Sequence, residues 1–523
     1  MQSLCRQGET VHLFCQENHP ERYDFIAAAH THRTDGSSVT LFERETPYAG
    51  ACILHKPELA GGLPVFVWDE YEEHKRVVPM IELSDEELEA YIACNVAVVD
   101  KVAAEFGIPA IHANHAVLMP VVAQRMKRAR GVPFTIMPHG SDIEYAVKKD
   151  ARFLRYAMEA IAECGRLFVI GDEMRSRVLS VFGAVPGLEE KLTELHLGVD
   201  TSQFEPVARS GRPERVEMLV DSLRGVSRGK TPEASAKLRD ALTAWTPGQP
   251  LEKILGGASG YDAKQPDADV EEKLSRIDWN APTVLFVGRL IAAKGIQSVI
   301  AALPAALEIM PDLQLIVVGH GPQRELMESY IYALAARRED LASEIIERGR
   351  ELEGETGGRG FGEVRRFLMK RRADGTLESY YASAANSGFS RAVTFTGYLT
   401  HRELKHLFAC CDVGIFPSVV REAGPLVFLE AIASGCFPMG TYVGGMAASI
   451  DAICENLPAE TKRLMSIDPE NPAEEIADKL PSAISQASTY SGELSAIARE
   501  RYDWAAVGSK LSAALRLLSG GFH

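Results

Sequence analysis

Over the first 205 residues, short apolar and β-branched runs alternate with helical patterns, the runs falling at 11–15, 39–42, 64–68, 110–113, 133–138, 166–170 and 193–197. Runs of this length, apolar on both faces and separated by helix-sized spacers, predict a parallel sheet covered on both sides. Between two of them, Ser84-Asp85-Glu86-Glu87 reads as a capping box, with Ser84 as N-cap and Glu87 reaching back. It predicts a helix from there to about Phe106. From about 206 to 280 the text turns polar and rich in Gly, Pro, Lys and Glu, with Gly248-Gln249-Pro250 and Gly256-Gly257-Ala258-Ser259-Gly260 inside it. That composition suggests a linker carrying a partly helical insertion. The strand rhythm resumes at 283–287, 313–318, 392–395, 413–416 and 437–439. A charged helical insertion interrupts it from about 330 to 391 and includes Arg365, Arg366, Lys370, Arg371 and Arg372. The expected architecture is therefore α/β, with two doubly wound domains in tandem at 1–205 and 281–502. Ligands are expected beyond the carboxyl ends of the strands, in a cleft between the domains.

Composition narrows the function without naming it. A chain of 523 residues is several times the size of a single small module, and 46% hydrophobic with 24% charged residues is ordinary globular usage. Its 56 basic and 72 acidic side chains leave a net charge of −16, which repels nucleic acid and anionic lipid over most of the surface. Nine cysteines lie scattered from Cys5 to Cys454 with no CxxC pairs, a pattern that fits neither a disulfide framework nor a zinc site. No run approaches the ~18 apolar residues of a membrane span, and no basic segment followed by an apolar core opens the chain. The expectation is a cytoplasmic protein that binds no nucleic acid.

Candidate chemistry gathers at predicted strand ends. After the run at 413–416 comes Pro417-Ser418-Val419-Val420-Arg421-Glu422-Ala423-Gly424-Pro425-Leu426, followed by Glu430. Gly424 and Pro425 read as N-cap and N1 of a helix, since proline suits a first helical position. Glu422 then sits at the helix mouth and Glu430 within the helix. Eight residues at ~1.5 Å rise separate them by roughly 12 Å. That is wider than the ~5 to 9.5 Å at which two carboxylates flank one glycosidic bond. The pair suits holding two parts of a long ligand better than hydrolysis.

A second strand end, Gly288-Arg289-Leu290-Ile291-Ala292-Ala293-Lys294-Gly295, places two cations and backbone amides at a helix start. This favours a phosphate without a metal ion. Gly319-His320-Gly321-Pro322 ends the next run, but Arg324 stands where a dinucleotide fingerprint needs its third glycine. In the first domain, His112, His115 and His139 fall at strand ends; His139 reads as functional rather than as a core histidine, while His112 and His115 could equally be either. Asp267-Ala268-Asp269 has the form of a metal-binding DxD, yet lies in the polar insertion and follows no apolar strand, which tells against a metal site. The cluster Arg125, Lys127, Arg128 and Arg130 reads as helix-end cations favoured by the dipole. A weak peripheral membrane contact is its alternative reading.

In order, Gly288-Arg289…Lys294-Gly295, Gly319-His320-Gly321-Pro322, Phe395-Thr396-Gly397-Tyr398, Pro417-Ser418 and Glu422 to Glu430 resemble the retaining GT-B glycosyltransferases of family four. His139-Gly140-Ser141-Asp142 and Gly198-Val199-Asp200…Phe204 match that family's first domain, and the resemblance runs from about Gly8 to the end apart from the two insertions. It implies two Rossmann-like domains facing across a cleft, an acceptor domain and a nucleotide-sugar domain, with a C-terminal helix at 503–520 completing the first. It implies transfer of a sugar, with retention, from a nucleotide-diphosphate sugar to a hydroxyl acceptor, with no cofactor and no metal.

By motif match, Arg289 and Lys294 would neutralise the diphosphate and Glu430 would hold the ribose. Glu422 with Ala423 and Gly424 would contact the donor sugar, and His139 would reach the sugar or the acceptor. Gly288, Gly319, Gly321, Gly397, Tyr398, Leu399, Pro425 and Leu426 complete the expected nucleotide and substrate contacts. Two departures stand out: the family's opening strand and Gly-rich loop have no counterpart before Arg6 to Phe14, and Ala423-Gly424-Pro425 replaces the more usual Phe-Gly-Leu. A sugar-nucleotide epimerase and an inactive sugar-nucleotide-binding partner protein are the competing functions.

Overall fold

The computed structural model describes residues 1–59, 61–66, 76–258, 264–353, 360–386, 388–422, 424 and 426–520. The chain divides into two compact units, one made of 1–198 with 501–523, the other of 199–500.

The first unit carries ten strands among its described residues: β1 (Thr10–Phe14), β2 (Ile26–His32), β3 (Ser38–Glu43), β4 (Ala51–Pro57), β5 (Leu63–Val65), β6 (Val77–Pro79), β7 (Ile111–Asn114), β8 (Phe134–Met137), β9 (Arg166–Val169) and β10 (Leu192–Glu194). They form sheets in the orders β1-β4-β2-β3 and β10-β9-β8-β7, with β5 and β6 paired separately. Pairing is parallel throughout except between β2 and β3, which run antiparallel. This corrects the expectation of one parallel sheet covered on both faces. β3 is an edge strand whose Val39 and Leu41 are exposed. β2 escapes the sequence pattern because Ala27, Ala28 and Ala29 with His30 and His32 carry little strand propensity, although Ile26 and Ala29 are fully packed. The helix Asp85–Phe106 begins on the expected box: Ser84 Oγ accepts from the Glu87 amide at 3.2 Å, and Glu87 accepts from the Ser84 amide at 3.0 Å.

The C-terminal helix Trp504–Ser519 belongs to this unit. Ser3 and Gln7 donate to the carbonyls of Trp504 and Ala505 at 2.8 Å each. Val507 joins Met137, Phe168 and Leu195 in one buried cluster.

The second unit holds β11 (Thr283–Val287), β12 (Gln314–Val318), β13 (Val393–Gly397), β14 (Val413–Phe416), β15 (Phe437–Thr441) and β16 (Ser466–Ile467), in the order β13-β12-β11-β14-β15-β16 and parallel throughout. Counted from the first strand of the sheet this is 3-2-1-4-5-6, the doubly wound order of nucleotide-binding folds. Its reversal falls between β11 and β14, where connections leave to opposite faces and open a crevice at the strands' carboxyl ends. The interior strands are buried along their length, as a sheet covered on both faces requires.

The polar segment before β11 contributes the helices Arg212–Ser222, Pro232–Ala244, Leu251–Ala258 and Val270–Ser275 to this unit, with Leu238, Leu242 and Trp245 buried. The charged segment between β12 and β13 folds into helices of its own. The Tyr380 hydroxyl donates to the Ala301 carbonyl at 2.9 Å, and Lys370 pairs with Glu474 at 2.6 Å.

Candidate functional site

The loops after β11 and β14 meet at the strand-order reversal. Ala292–Lys294 forms a single 3-10 turn and ends at Gly295 with φ +77°. A Cβ on Gly295 would stand 1.9 Å from the Pro417 carbonyl oxygen, so only glycine lets the two loops touch here. The contact is completed by the Val419 amide, which donates to the Ala293 carbonyl at 2.9 Å, and by the Ser418 hydroxyl, 3.0 Å from the same oxygen.

This junction brings together two of the expected residues. Lys294 Nζ lies 2.7 Å from Glu422 Oε1, and the Ser418 hydroxyl donates to that same oxygen. Lys294 is partly exposed and Glu422 half-buried. Arg289 is exposed on the loop that carries Lys294. On the neighbouring loops, the Leu290 amide donates to the His320 carbonyl at 2.7 Å and the Gly319 amide to the Gly397 carbonyl at 2.9 Å. Gly319 is required, since a Cβ there would stand 1.9 Å from the Gly288 carbonyl oxygen. Gly288, Gly319, Gly321, Gly397 and Tyr398 thereby line the ends of three adjacent strands, and the Tyr398 and His320 rings meet edge to face at 5.2 Å. Leu399 is buried behind them, as part of the core.

The helix Leu426–Ala433 starts beyond this junction and carries Glu430. Ala423 and Pro425, and with them the expected Pro425 helix start, lie outside the described residues; Gly424 is half-buried and Leu426 exposed. Glu430 is 4% exposed. Its Oε1 lies 2.8 Å from His401 Nδ1, and its Oε2 has no hydrogen-bond partner among the described residues.

Sequence reasoning missed three members of this neighbourhood. His401 follows the helix cap Thr400, a position that advertises a helix start and nothing more. Ser418 sits inside a quoted motif as a loop residue, and only the fold turns its hydroxyl to Glu422. Glu353, from the charged insertion, accepts the Ala292 amide at 3.0 Å and the Gln323 side chain at 3.2 Å. No spacing in the sequence announces that contact.

The DxD has a structural role. Asp267 is wholly buried, takes a bidentate grip from Arg324 at 3.2 and 2.7 Å, and pairs with Lys273 at 2.6 Å. Arg324 also meets Glu328, which with Glu325 holds the buried Lys230. Burial pushes the Glu328 carboxyl up, but Arg324 and Lys230 outweigh it and bring it down to about 2. The residue that breaks the dinucleotide fingerprint is thus one pole of a buried ion network.

In the first unit, His139 follows β8 and opens a short helical turn with Gly140–Asp142. Asp142 is buried and accepts from the amides of His139 at 3.0 Å and Ala116 at 2.5 Å. Burial raises its carboxyl to about 6 against those hydrogen bonds. His115 adopts φ +68°, rare for a residue with a side chain, and its ring packs 4.6 Å from that of His139 and 4.7 Å from Phe66. His112 lies within β7 rather than past its end, bonded to Thr135 at 2.8 Å. Burial, then the His139 charge, lowers both His112 and His115 to about 4.

The cation cluster is engaged at every position: Arg125 by Glu89, Lys127 by the Glu163 carbonyl, Arg128 by Glu163 and Arg130 by Asp100. No helix of the described residues is long and apolar enough to cross a membrane. No group of three or more metal-ligating side chains is found among them either.

Two family models match the sequence, one described as Glycosyltransferase Family 4 over residues 59–203 and one as Glycosyl transferases group 1 over residues 372–486. Over these two segments the sequence is similar to group 1 and family 4 glycosyltransferases. An uncharacterized glycosyltransferase of Methanocaldococcus jannaschii is 26% identical over 163 residues, 31% of this chain. The match spans only 28% of that relative's length. Among solved structures, sucrose-phosphate synthase from Thermosynechococcus elongatus is 16% identical with a TM-score of 0.49, covering 98% of this chain and 100% of that one. Anabaena HepE in complex with UDP is also 16% identical, with a TM-score of 0.45, covering 81% and 82%. His139 falls in one matched segment and Gly397, Glu422 and Glu430 in the other. The Gly288–Gly295 loop lies between the two and joins the site through its contacts with Pro417, Ser418 and Glu422.

Proposed function

We propose that the protein moves a sugar from a nucleotide-diphosphate sugar to a hydroxyl acceptor, with retention at the anomeric carbon. The observation that carries this reading is the junction at the strand-order reversal, where a cation and a carboxylate 2.7 Å apart sit beside glycine loops too tight for any side chain. An anionic donor suits it, because Lys294 and the exposed Arg289 supply charge that a departing diphosphate needs. That route uses no metal ion and no further cofactor. In this reading the second unit is the nucleotide-sugar unit and Glu430 takes the ribose hydroxyls. Glu422 contacts the sugar, with Gly288, Gly319, Gly321, Gly397 and Tyr398 about the nucleotide. In this reading the first unit is the acceptor unit and His139 contacts the sugar or the acceptor. The scattered cysteines fit a cytoplasmic setting.

The test is release of free nucleoside diphosphate from a panel of UDP-, GDP- and ADP-sugars, with and without hydroxyl acceptors, followed by NMR of the product's anomeric proton. Release with one donor, reduced at least tenfold in Arg289→Ala and Glu422→Ala, supports the reading. An isomerised donor released without acceptor would assign an epimerase instead.

A further inference from the structure

Glu430 and His401 form an unequal pair. The carboxylate is almost wholly enclosed, at 5% side-chain exposure, while the imidazole that bonds its Oε1 is 70% exposed. One oxygen of a buried carboxylate is thus tied to a group in free exchange with solvent, and the other, Oε2, has no donor among the described residues. A buried acceptor without a donor is costly, so this oxygen is a place for a ligand's hydroxyl.

The position of His401 adds a second constraint. It is the first residue of the helix His401–Ala409, where amides point outward and a cation is disfavoured by the helix dipole. The bond to Glu430 overrides this and raises the imidazole above its ordinary value, against burial and with the carboxylate's charge. The Phe204 ring packs edge-on against His401 at 6.3 Å and limits its swing. Of the other charges nearby, Arg402 on the same helix pairs with Glu403 at 2.9 Å and Arg215 of the packed helix Arg212–Ser222 with Glu205 at 2.8 Å, while Lys405, one turn along the helix, has no ion pair among the described residues. Glu403 in turn caps the helix through Thr400.

We infer that His401 is a positioning residue that holds Glu430 Oε2 ready for a ribose diol and makes nucleotide binding depend on its own protonation. This rests on the reading of the second unit as the nucleotide-sugar unit. With His401 charged, the buried carboxylate keeps its compensating partner and one oxygen stays fixed and open. With His401 neutral, one N–H can still bond Oε1 but the compensating charge is gone, so the buried carboxylate more readily takes conformers turned toward water and its hold on the diol weakens. Affinity therefore falls as pH rises through the His401 value, while the chemical step at Glu422 and Lys294 is untouched.

The experiment titrates the full chain with UDP, GDP and ADP by calorimetry from about pH 7 to 9, above the range in which a phosphate group takes its last proton. It compares wild type, His401→Gln and Glu430→Gln, with thermal melts confirming that each variant is folded. For the nucleotide that binds, wild-type affinity should fall about fivefold or more across this range, and His401→Gln should bind weakly with a flat profile. In turnover assays the same loss should appear in the donor KM and leave kcat unchanged. If His401→Gln keeps wild-type affinity and slope while Glu430→Gln binds weakly, the inference is overturned and the reading of the site stands. If Glu430→Gln binds as wild type does, or no nucleotide binds, the reading of the site falls and takes the inference with it.

Discussion

Lys294, on the turn after β11, donates to the Glu422 carboxylate, on the loop after β14, at 2.7 Å. The two are 128 residues apart in sequence. They meet because the strand order places β14 directly beside β11. Lys294 gives one of its three N–H donors to Glu422, whose negative charge weakens an anionic ligand's hold on the same ammonium.

Removing the competitor should separate binding from turnover. In Glu422→Gln, Lys294 is released to the diphosphate, so affinity for the bare nucleoside diphosphate should rise severalfold while sugar transfer falls at least tenfold. In Lys294→Ala the nucleoside diphosphate should bind about 10- to 100-fold more weakly, the loss of a charged hydrogen bond worth ~1.5–3 kcal/mol. Calorimetry with the bare nucleotide and a release assay with the nucleotide-sugar read the two effects apart.

Gly295 is the hinge pin of the same junction. Gly295→Ala puts a Cβ into the left-handed region, at ~1–2 kcal/mol, and drives it against the Pro417 carbonyl. Thermal unfolding should show a lower Tm, and nucleotide affinity should drop because Lys294 leaves its place. A control at Gly107, also in the left-handed region with φ +65° but with open space around its Cβ, should lose only the conformational part.

Asp267 and Asp269 should differ sharply although they share one motif. Asp267→Asn takes the bidentate carboxylate from the buried Arg324, leaving it Glu328 alone, and should destabilise the second unit by about 3 kcal/mol in urea unfolding. Asp269→Asn weakens one partly exposed contact to Lys273 and should cost about 1 kcal/mol or less. Were the pair a metal site, both changes would depress activity and added divalent ion would restore it; the structure leads us to expect neither.

The first unit should lose stability on mild acidification. His55 is 2% exposed, with His12 bonded to one ring nitrogen and His32 to the other, each at 2.9 Å. Burial, then the neighbouring imidazoles, lowers it to about 3. A value lower in the folded than in the unfolded chain means that unfolding takes up a proton between about pH 6.5 and 3. This group's stabilisation is then present above pH 6.5 and lost as pH falls, at up to ~1.4 kcal/mol per pH unit. Denaturant midpoints from pH 7 to 5 should show the decline, and His55→Leu should make it shallower.

What the sequence determined by itself follows from local chemistry. The strands β11, β12 and β14 read from their apolar runs, the helix Asp85–Phe106 from its capping box, and the anion-favouring turns from glycines and cations at strand ends. Each of these depends on residues close together in the chain. Strands β2 and β4 were not legible, because alanine and histidine in β2, and the short Cys52-Ile53-Leu54 run in β4, earn their place only through pairing with one another and with β1. The antiparallel turn of β3 and the burial of Asp267 were likewise invisible, since both are set by partners far along the chain. The pairings of Lys294 with Glu422 and of Glu430 with His401 belong to this second kind. A residue's type and spacing say what chemistry it can offer, whereas the order of strands in a sheet decides which distant group it meets and how much water lies between them.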